Sequence, residues 1–502
     1  TTGSKANQWS AAGYFGRINY DWRGVWLLEL NGRYDGSSRF PKNDHWAFFP
    51  SASVGYRFSE DKYFEKLKGS INNGKLRFSY GEIGNQAVGN YMFLSTISPI
   101  SLGNTYWLDP DGNKIAALGA PTYVDSSLSW ERIETIDVGL DLGFFNDQVS
   151  LSLDWFQRTT RDMLAPGRAM PATLGTDAPY TNSGSLRTRG WELNLSLRHK
   201  FGDWDTYAIF NLSDATTKVT SWNDDSRLLN SYYSGMTYGD IWGFVTDRYF
   251  TTEDFNPDGS YKDGIASQSS LEQGSFHYGP GDIKFKDINN DGTIDGGKGT
   301  AEDHGDLTVI GNSLPRYEYS FHLGTTWRGF DIDCFFQGVG KRSQWTQSAF
   351  VMPFMRGADA IYSNQTSYNY YDYETDTYHI DQSNEYPMLY PGNTDYGTIS
   401  VLKRGNHNFY PQTRYLVNMA YLRFKNITIG YSVPSKVINK IQLSKLRFYF
   451  SAENICNIIK RSKYPIDPEI NTSEEGSDLG NGTWGRVAPI TRTISFGIQA
   501  SF

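Results

Sequence analysis

The 502-residue sequence lacks most features that mark a soluble enzyme or a helical membrane protein. It has two cysteines, Cys334 and Cys456, so it predicts no disulfide framework. Its seven histidines show no metal-ligand spacing, and no P-loop, H-E-x-x-H or G-x-S-x-G motif occurs, which argues against an enzyme. No apolar run approaches the roughly 18 residues of a transmembrane helix. The net charge of −8 argues against a nucleic-acid partner.

Aromatic residues and glycine are abundant instead. Aromatics make up 16% of the chain and 50 residues are glycine, a composition that favours strands and turns. Apolar and polar residues alternate in QVSLSLDWFQRTT (148–160), GWELNLSLRHK (190–200) and PRYEYSFHLGTTWRG (315–329). Each alternating stretch is about 10 residues long, which is the length that a tilted strand needs to cross a bilayer.

About 13 such strands can be counted, and their connections alternate in length. DWRG, FFND, KFGDW and TWRGF are tight turns, whereas the connections near 84–130, 160–184, 214–315, 341–416 and 455–488 are long. This pattern predicts an all-β fold, a transmembrane antiparallel β-barrel with short periplasmic turns and long extracellular loops. The C-terminus is then expected in the periplasm and the first residues in an extracellular loop. A single-chain bacterial barrel has an even number of strands, so an odd count predicts that residues 1–502 form part of a barrel.

Several motifs resemble the SusC/RagA family of TonB-dependent outer-membrane transporters. The chain ends in ITRTISFGIQASF, in which Ile494, Phe496, Ile498 and Phe502 resemble the C-terminal signal for outer-membrane insertion. The stretch YLVNMAYLRFKNITIGYSVP (415–434) is similar to a late-strand motif of that family. Residues 281–338 resemble its loop-and-hairpin signature.

The resemblance implies a 22-stranded barrel with a plugged lumen, of which this chain supplies the C-terminal part. The remaining N-terminal part of the transporter would supply the plug, about nine strands and the contact with TonB. The intact protein would sit in the lipid of the bacterial outer membrane and import oligosaccharides or peptides, with a SusD-like lipoprotein as its lid. Two alternatives stay open, a passive outer-membrane porin or adhesin and a soluble β-rich glycan-binding module.

A calcium-type loop lies within the predicted extracellular loop 214–315. In DINNDGTID, carboxylate or amide oxygens of Asp287, Asn289, Asp291 and Asp295 occupy loop positions 1, 3, 5 and 9, and Thr293 offers its carbonyl at position 7. Position 12 is Lys298 instead of an acid. The family resemblance places the closing acid shortly before TVIG, at Asp303 or Asp306, with Glu302 as a third choice. The loop is either a structural Ca²⁺ site or an Asp/Asn-rich turn that needs no metal.

The predicted extracellular loop 341–416 is rich in tyrosine. Its candidates for substrate or partner contact are Tyr368, Tyr370, Tyr371, Tyr373 and Tyr378. Tyrosines interleaved with Asn, Asp and Glu suit stacking on sugar rings, contact with a partner protein, or packing within the loop itself. The sequence leaves these three roles open.

Overall fold

A computed structural model of the chain describes residues 7–67, 70–100, 108–115, 117–168, 170–171, 173, 175–272, 276–346, 351, 367–388, 407–438, 443–469 and 490–501. Thirteen long strands in these residues belong to one sheet, in which the strand order follows the chain. They are β1 (Ala11–Trp22), β2 (Trp26–Ser37), β3 (Trp46–Tyr56), β4 (Ile71–Asn85), β7 (Glu131–Phe144), β8 (Val149–Pro166), β9 (Tyr180–Phe201), β10 (Trp204–Ser221), β15 (Arg316–Trp327), β16 (Phe330–Lys341), β22 (Tyr421–Ser432), β23 (Lys445–Lys460) and β24 (Thr493–Ser501). The all-β fold class is confirmed, and the strand number is compatible with the prediction.

The other elements are short and lie in the connections. The strands are β5 (Pro99–Ile100), β6 (Ala117–Leu118), β11 (Asp240–Gly243), β12 (Thr246–Tyr249), β13 (Ile283–Phe285), β14 (Thr308–Asn312), β17 (Ser343–Gln344), β18 (Tyr368–Asp372), β19 (Thr377–His379), β20 (Tyr386–Met388) and β21 (Val417–Asn418). The helices are the 3₁₀ turns Phe58–Glu60, Lys62–Leu67, Thr252–Asp254, Ser269–Leu271 and His407–Phe409, and the single α-helical turn α1 (Ser435–Ile438). No helix in the described ranges has the length and apolarity needed to cross a membrane.

The chain divides into two compact units. The first comprises Thr1–Arg198, Ser213–Ser226 and Tyr232–Tyr238, and the second His199–Leu212, Arg227–Ser231 and Gly239–Phe502. Several strands run further than their sequence pattern indicated. For example, β10 continues to Ser221, so its last residues lie inside the predicted loop 214–315. The ladder continues there because main-chain pairing does not require alternating side chains.

In the first unit, neighbouring strands pair antiparallel, with register shifts near Ile71 in the β4–β7 ladder and near Met163 in the β8–β9 ladder. Leu153 lies opposite Leu140 on one side and opposite Leu193 on the other. The connection from β7 to β8 is four residues long, and three of these residues have positive φ. At the other end of the strands, Trp130 packs against Phe40 with ring centroids 4.9 Å apart. A small buried cluster of aromatic residues therefore covers that end of the unit.

In the second unit, the turn between β15 and β16 has only two residues, Arg328 and Gly329, with φ values of 45° and 93°. Two successive positive φ values define the hairpin turn whose twist matches that of the flanking strands. Glycine is required at Gly329 because a Cβ atom there would lie 2.7 Å from the carbonyl oxygen of Ser432. The strands β16, β22, β23 and β24 then pair in sequence.

The two faces of the long strands differ in the way the alternation predicts. Large apolar side chains on one face are exposed, including Leu153 at 39% and Phe496 at 81%. On the other face, Arg77 pairs with Asp141 and with Asp154, in both cases at 2.7 Å. A soluble protein would bury the apolar face and expose the polar one, so this arrangement suits strands surrounded by lipid.

Three long connections of the second unit share one buried cluster, which we call the loop core. It is formed by Phe244, Tyr249, Phe250, Phe255, Leu271, Phe276, Tyr278, Ile283, Phe285, Ile294, Val351, Tyr386, Phe409, Tyr415, Val417, Met419, Tyr464 and Ile466. These residues come from the β10–β15, β16–β22 and β23–β24 connections. The loop core therefore holds three loops together as one folded body.

A buried ion cluster fastens the β23–β24 connection to β22. The Nη2 atom of Arg423 lies 2.6 Å from Oδ1 of Asp467, and the Nη1 atom lies 3.3 Å from Oε2 of Glu469. Lys425 contacts Glu469 at 2.7 Å, and Arg423 Nε donates to the Asn457 side chain at 2.8 Å. The side chains of Arg423 and Asp467 are only 5% and 7% exposed. Because the charges are buried, each depends on its partners for solvation.

A charged residue on the apolar face should destabilise the folded protein in a membrane. The Ile427→Arg substitution places a guanidinium on the face shared with Ile429, and we expect a loss of about 2–4 kcal/mol near the bilayer midplane. The matched Thr428→Arg substitution points to the polar face, where Asp333 is its cross-strand neighbour. Unfolding of the protein in lipid vesicles checks this, and equal losses for both variants would contradict the assignment of faces.

Removal of the arginine from the ion cluster should destabilise the second unit strongly. The Arg423→Ala substitution leaves the carboxylates of Asp467 and Glu469 buried without their main partner, at an expected cost of about 3–5 kcal/mol. As a control, Lys463→Ala removes a more exposed pair with Glu385 and should cost at most about 1 kcal/mol. The measurement is the denaturant unfolding curve of the protein. Similar curves for the two variants would contradict a buried, partner-dependent cluster.

Candidate binding and metal sites in the loops

Buried side-chain amides organise the loop core by forming hydrogen bonds with the main chain of β13. Gln268 is fully buried, and its side chain accepts the N–H of Phe285 at 2.7 Å and donates to the carbonyl of Ile283 at 3.0 Å. On the same strand, the Ile283 N–H donates to the Asn408 side chain, which in turn donates to Asp282 at 2.6 Å. These contacts satisfy main-chain groups of β13 that would otherwise be buried without a partner. The loops around β13 are thereby held in one conformation.

A charged pair fixes the turn that follows β12. Arg248 contacts both carboxylate oxygens of Asp254 at 2.6 Å, and Asp254 also accepts the Thr251 N–H at 2.7 Å. Burial by itself would raise the pKa of Asp254, but the hydrogen bonds from Arg248 and Thr251 outweigh it and lower the pKa below its usual value. The carboxylate therefore stays ionised and keeps this side of the loop core closed.

The predicted calcium-type loop forms a series of tight turns. Both carboxylate oxygens of Asp287 accept backbone N–H groups, from Asn290 at 2.7 Å and from Gly292 at 2.9 Å. Asn289 accepts the Asp291 N–H at 3.0 Å, and Asp291 accepts the N–H of Thr293 at 2.8 Å. Gly292 has a φ of 85°, as the sharp turn of such a loop requires. The internal hydrogen bonds thus give the loop its shape.

The structure brings Asp306 to this loop, whereas Asp303 turns towards Lys298. Asp306 is fully buried, and its two oxygens accept the N–H groups of Ile288 at 2.6 Å and Asp295 at 2.9 Å. Asp303 lies 3.4 Å from the Lys298 ammonium group. Asp306 was the second of the two closing residues that the sequence offered. Its backbone contacts place Asp306 against the loop, and the acid that would complete a metal site there, Asp303 or Asp306, stays a prediction.

The chemistry of the loop suits a hard cation, although its side chains are not gathered around one point. Asp287, Asp291, Asp295 and Asp306 make no salt bridge among the described residues, so the loop holds four carboxylates without a cationic neighbour in contact. Oxygen ligands of this kind are those that Ca²⁺ prefers. No group of three or more His, Cys, Asp or Glu in the described ranges is arranged to hold a metal ion. Binding would therefore require these carboxylates to move closer together.

The tyrosine-rich segment folds into a hairpin with an added parallel strand. β18 pairs with β19 on one edge and with β20 on the other. Tyr371 packs against Tyr378 and against Tyr373, in both cases with ring centroids 4.8 Å apart. Tyr368 and Tyr370 lie on the other face of β18, with their ring centroids 6.2 Å apart. The five tyrosines therefore divide between the two faces of the hairpin, with Tyr371, Tyr373 and Tyr378 on one side and Tyr368 and Tyr370 on the other.

Two polar residues of this region, His379 and Asn369, carried no sequence signal that would have marked them. His379 stacks on Tyr370 with ring centroids 4.5 Å apart. Asn369 is fully buried and accepts the Asp381 N–H at 3.0 Å. Their positions depend on the register of β18 with β19 and on contacts with the loop core, neither of which is visible in a local pattern.

The predicted insertion signal lies on the last strand. Ile494, Phe496 and Ile498 of β24 are 58%, 81% and 68% exposed, and they share one face. Phe502, the fourth residue of that prediction, lies outside the described residues. The role of these residues in insertion stays a prediction.

Comparisons with known proteins agree with this architecture. The family model described as TonB dependent receptor-like, beta-barrel matches residues 1–278. The chain is 25% identical to the TonB-dependent receptor P3 of Formosa agariphila, over 99% of this chain and 46% of that protein. It is 26% identical to the TonB-dependent receptor SusC of Bacteroides thetaiotaomicron, over 91% of this chain and 41% of SusC. The chain thus spans less than half of these relatives.

A solved structure of the RagAB peptide transporter has the same fold. It aligns with a TM-score of 0.70 and 21% sequence identity, over 98% of this chain and 47% of that chain. With the similarity to SusC, this supports the resemblance to SusC/RagA-type transporters seen in the motifs. The matched family is one of outer-membrane receptors and transporters, and the residues that it matches exceed half of the chain. The chain belongs to the TonB dependent receptor-like, beta-barrel family and forms part of an outer-membrane β-barrel.

Proposed function

We propose that this chain is the C-terminal barrel portion of a TonB-dependent importer of oligosaccharides or peptides. A SusD-like surface lipoprotein would close its extracellular mouth, and TonB would act through the N-terminal part of the same transporter. The observation that carries the proposal is the family match, together with relatives that include SusC. The solved fold neighbour is described as a peptide transporter, so both cargo classes stay within the proposal.

The loop core gives this proposal a physical basis. A lid can close reproducibly only on a surface whose own shape is fixed. The three loops share a buried aromatic core and a hydrogen-bonded amide network, so they can act as one rigid seat for a partner. The polar face of the strands, with pairs such as Arg77 and Asp154, offers a hydrophilic wall along which a polar cargo can pass.

We also propose that the loop from Asp287 to Asp306 binds a structural Ca²⁺ ion. Carboxylates of Asp287, Asp291 and Asp295 and the side-chain oxygen of Asn289 would hold it, and the carbonyl of Thr293 would complete the set. The ion would neutralise the carboxylates and stiffen the loop beside the core. This role is structural, and transport chemistry does not depend on it.

Native mass spectrometry of the detergent-extracted assembly tests the importer. We expect the full-length transporter to be released together with a lipoprotein. We also expect uptake of its cargo to stop in cells that lack TonB. A transporter that appears alone or only as copies of itself, with uptake unchanged in those cells, would favour a passive porin.

Calcium should stabilise the full-length transporter. At a free Ca²⁺ concentration about 100 times the dissociation constant, the gain is about 2.7 kcal/mol, and the midpoint of thermal unfolding rises. The Asp287→Asn substitution, which removes a carboxylate, should abolish most of this rise. Thermal unfolding with CaCl₂ and with EGTA measures the effect.

The control for the calcium experiment is another Asp–Gly turn of the same connection. Asp258 accepts the N–H of Ser260 at 3.0 Å, and Gly259 has a φ of 84°, so the turn resembles the calcium-type loop without its further acids. Asp258→Asn should leave the response to Ca²⁺ intact. An unfolding midpoint that is the same with CaCl₂ and EGTA in the unmodified protein would leave the loop as a metal-independent turn.

A further inference from the structure

A cavity of about 450 Å³ opens on the tyrosine hairpin. Its lining includes Tyr368 and Tyr370 from β18, His379 at the end of β19, and Asp381 and Asn384 from the turn that follows. None of its lining residues is Lys or Arg. The cavity thus combines aromatic rings with acceptors and amide groups, without a cationic side chain.

The aromatic wall of the cavity is ordered before any ligand arrives. One face of the Tyr370 ring stacks on His379 with ring centroids 4.5 Å apart, and the Tyr368 ring meets Tyr370 in an edge contact, with centroids 6.2 Å apart and an interplanar angle of 65°. Tyr368 and Tyr370 nevertheless remain 38% and 43% exposed. A ligand that covers these rings buries apolar area without ordering mobile side chains, which lowers the entropic cost of binding.

The polar part of the cavity is also fixed in position and charge. The Ser383 hydroxyl and N–H donate to Oδ1 of Asp381 at 2.7 and 2.8 Å, and these hydrogen bonds lower the pKa of Asp381. Among the described residues, no donor lies within hydrogen-bond distance of Oδ2, the second carboxylate oxygen of Asp381. The side chain of Asn384 donates to Asn369 at 2.7 Å, which orients its amide. An ionised acceptor and an oriented amide therefore stand beside the aromatic rings.

Hydrogen bonds from residues next to the cavity connect it to the loop core and its surroundings. Buried Asn369 donates to the Gly281 carbonyl at 3.1 Å, and Gln382 exchanges two hydrogen bonds with the backbone of Tyr249. Arg414 lies over the ring of Tyr249 at 4.4 Å and donates to the Asn384 carbonyl. These contacts tie the turn that carries Asp381 to residues more than a hundred positions earlier in the chain. The cavity is therefore a built feature of the folded loops.

The chemistry of the cavity discriminates between classes of ligand. The described lining residues include no Lys or Arg, and a lining of this kind disfavours a phosphate, a sulfate or a peptide carboxylate. An extended peptide cannot add to β18, because β19 and β20 already occupy both of its edges. A sugar ring fits what remains, since its C–H face packs on an aromatic ring while its hydroxyls donate to a carboxylate and accept from an amide.

We infer that this cavity binds a pyranose ring of a neutral oligosaccharide. Tyr370 would stack on the ring with Tyr368 beside it, and Asp381 would accept hydrogen bonds from its hydroxyls. The inference rests on the proposed function in one respect, because it requires these loops to face the medium. The inference narrows the proposed cargo from oligosaccharides or peptides to oligosaccharides.

Binding of defined sugars to the full-length transporter tests the inference. The probes are maltohexaose, cellohexaose and laminarihexaose, with hexa-alanine as the peptide comparison, and the readout is titration calorimetry. We expect at least one sugar to bind. Tyr370→Ala should weaken its binding at least tenfold, whereas Tyr370→Phe, which keeps the ring, should change it less than threefold. Asp381→Asn should also weaken binding, through the hydroxyl contacts.

Two controls separate a failed site from a failed fold or a failed function. Tyr123→Ala removes an exposed tyrosine of another connection and should leave binding unchanged, and the unfolding midpoint of each variant checks that it folds. Binding of hexa-alanine alone, no binding of any of the three sugars, or unchanged sugar binding in Tyr370→Ala would overturn the inference. TonB-dependent uptake is measured separately, so a transporter that imports its cargo without binding sugar at this cavity would retain the proposed function.

Discussion

The structure depends on one constraint, that every main-chain N–H and C=O group in a membrane must find its partner within the protein. The long strands meet it by pairing along most of their length, and β7 and β8 pair without interruption from Arg132 opposite Arg161 to Phe144 opposite Val149. Continuous pairing fixes the pleat, and the pleat sends alternate side chains to opposite faces. The exposed apolar face, the polar network opposite it and the short hairpin turns all follow from this requirement.

The loops face the same demand without a regular ladder to satisfy it. Main-chain groups around β13 are buried, yet that strand has only three residues and one strand partner, β12. Side-chain amides of Gln268 and Asn408 supply the missing partners. Such contacts are costly to leave unmade, since a buried unpaired group loses its hydration and gains nothing. The amide network is therefore as necessary to the loop core as the aromatic packing around it.

A feature could be predicted from the sequence when the residues that determine it lie close together in the chain. Alternation from Val149 to Trp155 is local, and so is the Arg328–Gly329 turn, so strands and hairpins were visible in the sequence. Asn408 meets β13 across more than a hundred residues, and no short pattern marks it. Composition identified the tyrosines as a group, but only the register that places Tyr371 opposite Tyr378 shows which rings contact each other. The position of Asp306 against the calcium-type loop likewise depends on a buried contact.

The shared core of the three loops also limits how such a surface can diversify. If one of the three loops were replaced by the loop of a relative, its side chains would not match the loop core. The exchange would leave a cavity or a clash against the other two loops. Exchange of one loop is then expected to cost stability before it alters recognition. Recombination between members of this family should succeed when all three connections are exchanged together. The connections share one core, although they are separate in sequence.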